Sequence, residues 1–366
     1  MASWTLTVRL LSLPTRRTLV AAHDVHPEPS RLLSVVELEN PNGDRGWGEC
    51  SALNRVGYAP ESAGSSFDVL STAPELSAPE GGQELINRFP MAMAALEMAE
   101  LDLRLKQRDV SLADYLGVPR SLVPAGAVLP LADLDQSMRQ ATLMADLGFR
   151  RMKLKIVPSI RSGVLPKDLV RAVRSCAPTT EIHVDANGSF DAASFAEVAE
   201  LAAEGVAVIE QPFSPSQVGL AADLVATGVT VAADESATDL AAIQELVRMG
   251  ACSAVVVKPA RLGGLYGAFE LLAWCEENGV AASAGGMLES GLGRHALAVV
   301  AANQACTLIG DISPSRQWLL RDPWPDIEME DGFVRVPSSP GVAPEPDFEL
   351  LMEFTTRSVR RSLKSS

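Results

Sequence analysis

Two lysines stand two residues apart in a short aliphatic run, Met152-Lys153-Leu154-Lys155-Ile156. Side chains alternate across a strand, so Lys153 and Lys155 share one face, and Met152, Leu154 and Ile156 share the other. Two ammonium groups on one face of a buried strand are costly unless a cavity and counter-charges receive them. The chain supplies charged residues downstream at regular intervals. Asp185, Glu210, Asp234 and Lys258 follow Lys155 at separations of 30, 25, 24 and 24 residues. Each ends a short apolar run, and the spacing matches one strand–helix unit. Three carboxylates from neighbouring strands make an all-oxygen site suited to Mg²⁺, with Mn²⁺ as a substitute. A divalent cation on a substrate carboxylate stabilises the enediolate formed when the α-proton leaves. A lysine can take that proton only if its pKa is drawn toward neutrality. Lys153 beside Lys155, and the nearby cation, both push that way. The three acids, the ion and the three lysines leave about two positive charges, which suits a small anionic, carboxylate-bearing substrate.

These residues need a scaffold that brings strand ends together. The runs Val123–Pro130, Arg151–Val157, Glu181–Asp185, Ala207–Glu210, Thr230–Asp234, Ala254–Lys258, Ala281–Ala284 and Thr307–Asp311 read as short strands. Amphipathic segments lie between them, such as Asp168–Cys176, Ala192–Ala203, Leu240–Met249 and Gly267–Asn278. Eight such units predict an α/β fold, a parallel sheet closed into a (β/α)8-type, modified TIM barrel, with the last unit compressed. Its active site lies at the C-terminal strand ends. Residues 1–50 read as strands and turns: Trp4–Leu10 alternates, Leu32–Leu38 is strand-like, and Pro41-Asn42-Gly43-Asp44 turns into Gly46-Trp47-Gly48-Glu49-Cys50. The connection from Pro14 to Arg31 is long enough to read as a lid, and Ser51–Ser62 is a second irregular stretch. Met91, Ala95, Met98, Leu101 and Leu105 form one helical stripe. The expected division is an α+β capping domain over 1–120, the barrel over 121–315, and a segment over 316–366 that returns to complete the capping domain.

With a net charge of −15 and a pI near 4.8, the chain lacks the basic footprint that nucleic acid requires. No apolar run is long enough to span a membrane, and the first 30 residues lack the pattern of a signal peptide. These features point to a cytoplasmic protein. Five scattered cysteines without a CxxC pair read as reduced core thiols. A homo-oligomer remains open.

The strings Lys153-Leu154-Lys155, Asp185-Ala186-Asn187, Ile209-Glu210-Gln211-Pro212, Ala233-Asp234-Glu235-Ser236 and Val257-Lys258-Pro259 resemble the enolase superfamily, in its muconate-lactonising subgroup. Three further strings look like the o-succinylbenzoate synthase / N-succinylamino acid racemase family. They are Gly285–Arg294, Gly46-Trp47-Gly48-Glu49-Cys50 and Gly310-Asp311-Ile312-Ser313. The resemblance spans nearly the whole chain. It implies Asp185, Glu210 and Asp234 as Mg²⁺ ligands and Lys155 as the base. Lys258 would be a cation facing the substrate in a synthase, or the second base in a racemase. The implied activity is syn dehydration of a succinyl-bearing hydroxycyclohexadiene carboxylate to 2-succinylbenzoate in menaquinone biosynthesis, a lyase reaction. The alternative is racemisation of N-succinyl or other N-acylamino acids, with dipeptide epimerases and cycloisomerases ranked lower. A barrel kept for binding without catalysis should have lost a ligand or a lysine, and none is missing. The sequence departs from a recognisable family pattern in the first loop, with Thr15-Arg16-Arg17, His23 and His26, and at His295.

Several residues admit more than one reading. Lys153 sits one pleat below Lys155, tuning it and touching a substrate carboxylate. Glu235 competes with Asp234 as third ligand; alternation points one of them inward, and the resemblance favours Asp234. His183 shares the face of Asp185, and lines the pocket or packs inside the barrel. Asn187 orients neighbouring groups or meets substrate. Gly285, Gly286 and Ser290 are candidates for backbone and hydroxyl contacts to a substrate carboxylate. Leu262-Gly263-Gly264-Leu265 precedes a helix as a phosphate cradle would, but without a Walker lysine it reads as a strand–helix turn. Trp274 and Met98 read as core.

Overall fold

The computed structural model describes residues 4–16, 29–72 and 87–363. Arg17, His23 and His26 of the first loop lie outside the described residues. The strands in chain order are β1 (Trp4–Pro14), β2 (Ser30–Glu39), β3 (Arg45–Cys50), β4 (Leu122–Pro124), β5 (Gly126–Leu129), β6 (Arg151–Lys155), β7 (Glu181–Asp185), β8 (Val208–Glu210), β9 (Val231–Ala233), β10 (Ala254–Val257), β11 (Ala281–Ala284), β12 (Met329–Glu330), β13 (Phe333–Arg335) and β14 (Thr355–Leu363). The helices begin with α1 (Ala63–Thr72), α2 (Pro90–Arg108) and α3 (Leu112–Leu116). They continue through α4 (Leu134–Asp146), α5 (Ser159–Ser162), α6 (Pro166–Cys176), α7 (Phe195–Ala199), α8 (Val218–Val225), α9 (Leu240–Arg248), α10 (Leu265–Asn278), α11 (Gly291–Ala301) and α12 (Phe348–Phe354).

β5 to β11 form one parallel sheet in sequence order. The segment expected as the eighth strand, Thr307–Asp311, is not a regular strand. It nevertheless closes the ring: Leu308 N donates to Ala282 O, Asp311 N to Ala284 O, and Gly126 N to Ile312 O. Glycines stand where this segment approaches its neighbours most closely. A Cβ on Gly310 would stand 2.3 Å from Ala284 O, and one on Gly126 would stand 2.2 Å from Gly310 O. The first expected strand, Val123–Pro130, is also corrected. It splits at Ala125: β5 belongs to the barrel, and β4 pairs with β13 in a three-stranded sheet. The compressed last unit has no α-helix of its own after residue 312, only a short 3-10 turn at Ser315–Gln317.

The N-terminal strands form an antiparallel sheet in the order β14-β1-β2-β3. β1 and β14 pair from Trp4↔Leu363 onward, so both ends of the described chain share one sheet. α2 lies on β3, and its stripe of Met91, Ala95, Met98, Leu101 and Leu105 is buried. The paired glycines of β3 permit this contact: a Cβ on Gly46 or Gly48 would stand 2.1 or 1.9 Å from a carbonyl of α2. Trp47 points the other way and packs edge-on to Trp324. Trp274 and Met98 lie in or against the main core. Inside the barrel, Val208, Ala232, Ala254 and Val256 make a small apolar layer. Each stands two or four residues before Glu210, Asp234 or Lys258, and so on the same face. The polar site therefore rests on an apolar floor.

Candidate active site

The register of the parallel sheet aligns the site. Lys155 pairs with Asp185, Asp185 with Glu210, and Glu210 with Ala232. Asp234 and Lys258 lie just past the ends of β9 and β10, respectively. In a ring of eight, β6 and β10 stand four steps apart, so Lys155 and Lys258 approach from opposite walls. Both line a cavity of about 200 Å³, together with Lys153, Asp185, Asn187, Gly286, Arg294 and Asp311.

Each acid is turned onto a base. Lys155 Nζ donates to Asp185 Oδ2 at 2.6 Å and to Asn187 Oδ1 at 2.8 Å. Lys153 Nζ donates to both oxygens of Glu210, at 3.0 and 2.9 Å, and to Asp311 Oδ2 at 2.7 Å. Lys258 Nζ donates to Asp234 Oδ2 at 2.8 Å and to the Tyr58 hydroxyl at 2.7 Å. Arg261 Nη1 donates to Asp234 Oδ1 at 2.6 Å. As they stand, no three His, Cys, Asp or Glu side chains among the described residues converge enough to hold a metal ion.

The electrostatics still mark one coupled acid cluster. Burial pushes the Glu210 carboxyl well above its ordinary range, and Asp185 and Asp234 push it the same way. Burial also opposes charge on Asp234 and Asp185, but the facing cations win and hold both below the usual carboxylate range. Lys153 is buried, yet Asp311, Glu210 and Asp185 together keep its pKa well above the ordinary value. Glu235 is raised to about 7 by burial and by Asp234 and Asp185. Its Oε1 accepts from Asn187 Nδ2 at 2.9 Å, while its buried Oε2 has no hydrogen-bond partner. Alternation does not decide between Asp234 and Glu235, because β9 ends at Ala233. A hard oxygen set with an orphaned buried carboxylate oxygen beside it fits a divalent cation.

Other expected residues fall differently. Asn187 lies in the site with a positive φ of 44°, as the turn after β7 requires. Gly286 lines the cavity, and a Cβ there would meet Arg294 Nη2 at 2.7 Å. Gly285 does not line it; it is packed against Val256 and Lys258. Ser290 is fully buried away from the cavity lining, and its N–H and hydroxyl are both given to Glu49. His183 packs inside the barrel against Glu181, at 2.7 Å, and burial lowers its pKa to about 4. His295 Nδ1 bonds Gly291 O within α11. The Gly263-Gly264 turn holds no space for phosphate: the Glu97 carboxylate accepts from Leu265 N and Tyr266 N at the start of α10.

Sequence reasoning missed Arg151, Tyr58, Arg261 and the pairing role of Asp311. Arg151 extends the alternation of Lys153 and Lys155 and donates to Asp311 Oδ1 at 2.8 Å. Arg261 lies three residues past Lys258, where the chain turns back over the strand end. Tyr58 sits in the irregular 51–62 stretch that follows β3. Gln211 has a positive φ of 37°, and its Oε1 accepts from Asp234 N and Ser236 N. It thereby fixes the turn that carries Asp234.

Known proteins resemble this chain in sequence and fold. Residues 136–350 match the Enolase C-terminal domain-like family. The chain is 31% identical to the o-succinylbenzoate synthase of Bacillus subtilis (strain 168) over 339 residues, covering 89% of this chain and 90% of that one. It is 33% identical to the N-succinylamino acid racemase of an Amycolatopsis species over 342 residues, covering 90% and 91%. A solved structure of an enolase superfamily member from Listeria innocua superposes with a TM-score of 0.88 at 26% identity, covering 100% of both chains. A solved probable mandelate racemase from Alicyclobacillus acidocaldarius gives 0.89 at 29% identity, covering 99% and 98%. No described helix is long and apolar enough to cross a membrane. The two opposed lysines, the acid row between them and these likenesses agree: the chain is an enzyme of the enolase superfamily and belongs to its o-succinylbenzoate synthase / N-succinylamino acid racemase family.

Proposed function

We propose that this protein is a Mg²⁺-dependent o-succinylbenzoate synthase acting in menaquinone biosynthesis. The observation that carries the reading is the placing of Lys155 and Lys258 on opposite walls of one cavity, with the row Asp185, Glu210 and Asp234 between them. Those three carboxylates would hold the ion, with Glu235 beside them. Bound Mg²⁺ would supply Lewis-acid stabilisation of the charge that develops on the substrate carboxylate as the α-proton leaves. Lys155 takes that proton. Its amine, oriented by Asp185 and Asn187, is then an ammonium on the same face as the departing hydroxyl and can protonate it. One residue doing both steps gives syn loss of water. Lys258 holds positive charge against the opposite face. Lys153 and Arg151 fix the acids from below.

Purified protein with Mg²⁺ should dehydrate the succinyl-bearing hydroxycyclohexadiene carboxylate, and Lys155→Ala should abolish turnover. Retained turnover in that variant overturns the assignment of the base. The same two amines favour a second reading, an N-succinylamino acid racemase, because racemisation needs one base on each face. Deuterium exchange from D₂O into both enantiomers of an N-succinylamino acid, at a rate comparable with dehydration, would establish that activity.

A further inference from the structure

A side chain from outside the barrel reaches one of the two reacting lysines. Tyr58, from the 51–62 segment, lines the cavity. Its hydroxyl accepts from Lys258 Nζ at 2.7 Å and from Arg261 Nη1 at 2.5 Å, and donates to Asp234 Oδ1 at 2.9 Å. The Lys258 ammonium also lies 4.6 Å from the centroid of the Tyr58 ring. Lys258 is therefore held by Tyr58 through the hydroxyl, and the centroid distance follows from that contact. Of its three N–H groups, Asp234 and Tyr58 take two, which leaves one for the cavity. Lys155 on the other wall has no such tie. Its partners, Asp185 and Asn187, both come from the end of β7.

We propose that Tyr58 is a positioning residue for Lys258, and that it sets how proton transfer is divided between the two faces of the substrate. The proposal rests on the reading of Lys155 and Lys258 as the two reacting amines. A lysine stem has four rotatable bonds, and a small displacement of its amine costs a large factor in rate. Loss of the Tyr58 hydroxyl releases Lys258 and leaves Lys155 where it is. The consequence is one-sided: steps on the Lys258 face slow, and steps on the Lys155 face do not.

Tyr58→Phe keeps the ring and removes the hydroxyl. Each enantiomer of an N-succinylamino acid is incubated with the Mg²⁺-loaded enzyme in D₂O, and Lys258→Ala identifies which enantiomer exchanges through Lys258. In Tyr58→Phe that enantiomer should lose at least about tenfold in exchange rate, and the other should change by less than about threefold. Equal losses on both faces overturn the proposal. Reductive methylation with formaldehyde and cyanoborohydride, mapped by peptide mass spectrometry, gives a readout independent of turnover. Lys258 should label at least about threefold faster in Tyr58→Phe, with Lys155 unchanged, because a released stem samples more orientations. Unaltered Lys258 labelling overturns the proposal. If the wild type exchanges neither enantiomer, the functional reading of the two lysines fails, and the labelling still decides whether Tyr58 positions Lys258.

Discussion

At the scale of the residue, the two lysines that share a face do different things. Arg151, Lys153 and Lys155 form a column of cations along one strand, and Asp311, Glu210 and Asp185 answer them from neighbouring elements. Lys153 is almost wholly buried and engages two carboxylates directly, with Asp185 at 3.6 Å. Removing one member of a buried ion network strands the others, which costs roughly 3–5 kcal/mol. Lys153→Met should therefore lower unfolding free energy by about that amount in denaturant titrations. Lys155→Met should cost less, because Lys155 is partly exposed and Lys153 stays near Asp185. Equal losses would contradict the division of labour between them. The alternation in Met152–Ile156, and one polar residue per strand–helix unit, were legible in the sequence, and they single out the five strand-end residues. Which acid meets which base was not legible. That depends on the stagger of strands around a closed ring, and on Asp311, which lies in a closing segment with no ladder of its own.

At the scale of the element, buried acids from distant parts of the chain start the helices. Glu61 accepts from Met91 N and Ala92 N at the start of α2. Glu97, on α2, does the same for α10. Glu49, at the end of β3, accepts from Ser290 N, from the Ser290 hydroxyl and from Gly293 N at the start of α11. Helix N-termini leave unpaired N–H groups and carry partial positive charge, so a carboxylate is a natural cap. A local capping box would announce itself in the sequence; a cap from 241 residues away does not. The sequence therefore shows Glu49 only within a family-like string, and it leaves Ser290 looking like a substrate contact where the structure makes it Glu49's partner. Burial raises the Glu49 carboxyl from 4.5 to about 8, aided by Glu289 and Asp322 and opposed by Ser290 and Arg31. Between those two values the folded state keeps a proton that the unfolded state has released. Stability from this group is thus fully present at low pH and is lost as pH rises from about 4.5 to about 8. The loss is bounded by about 1.4 kcal/mol per pH unit across that window. Glu49→Gln retains an acceptor oxygen for the helix and removes the titration. The wild-type protein should lose stability relative to Glu49→Gln between pH 5 and pH 8, measured by denaturant melts in paired buffers. Parallel pH profiles for the two proteins would rule out an ionising Glu49.

At the scale of the whole molecule, one arginine joins the N-terminal sheet, the 51–62 segment and the barrel. Arg31 is buried at the start of β2 and uses all five of its N–H donors on carbonyls. Nη2 reaches Ser51 O at 2.5 Å and Met287 O at 3.0 Å. Nη1 reaches Ala52 O at 2.6 Å and Leu32 O at 2.8 Å, and Nε reaches Leu288 O at 3.4 Å. Met287 and Leu288 line the cavity, and Leu288 sits in the left-handed region at φ 59°, a conformation its neighbours must hold. Ser51 and Ala52 lead into the segment that carries Leu53 and Tyr58 to the same cavity. The barrel itself could be read from its strand–helix rhythm. Nothing in that rhythm shows that the cap is fastened through backbone oxygens, because every residue has one and only the folded chain shows which converge. Arg31→Met keeps most of the stem and leaves those carbonyls without a donor. It should lower stability by roughly 2–4 kcal/mol. It should also raise KM for the substrate more than it lowers kcat, because the residues it releases shape the cavity wall and do not transfer the proton. A full loss of stability with KM unchanged would make Arg31 a fastening of the fold alone, with no part in holding the cavity wall over the substrate.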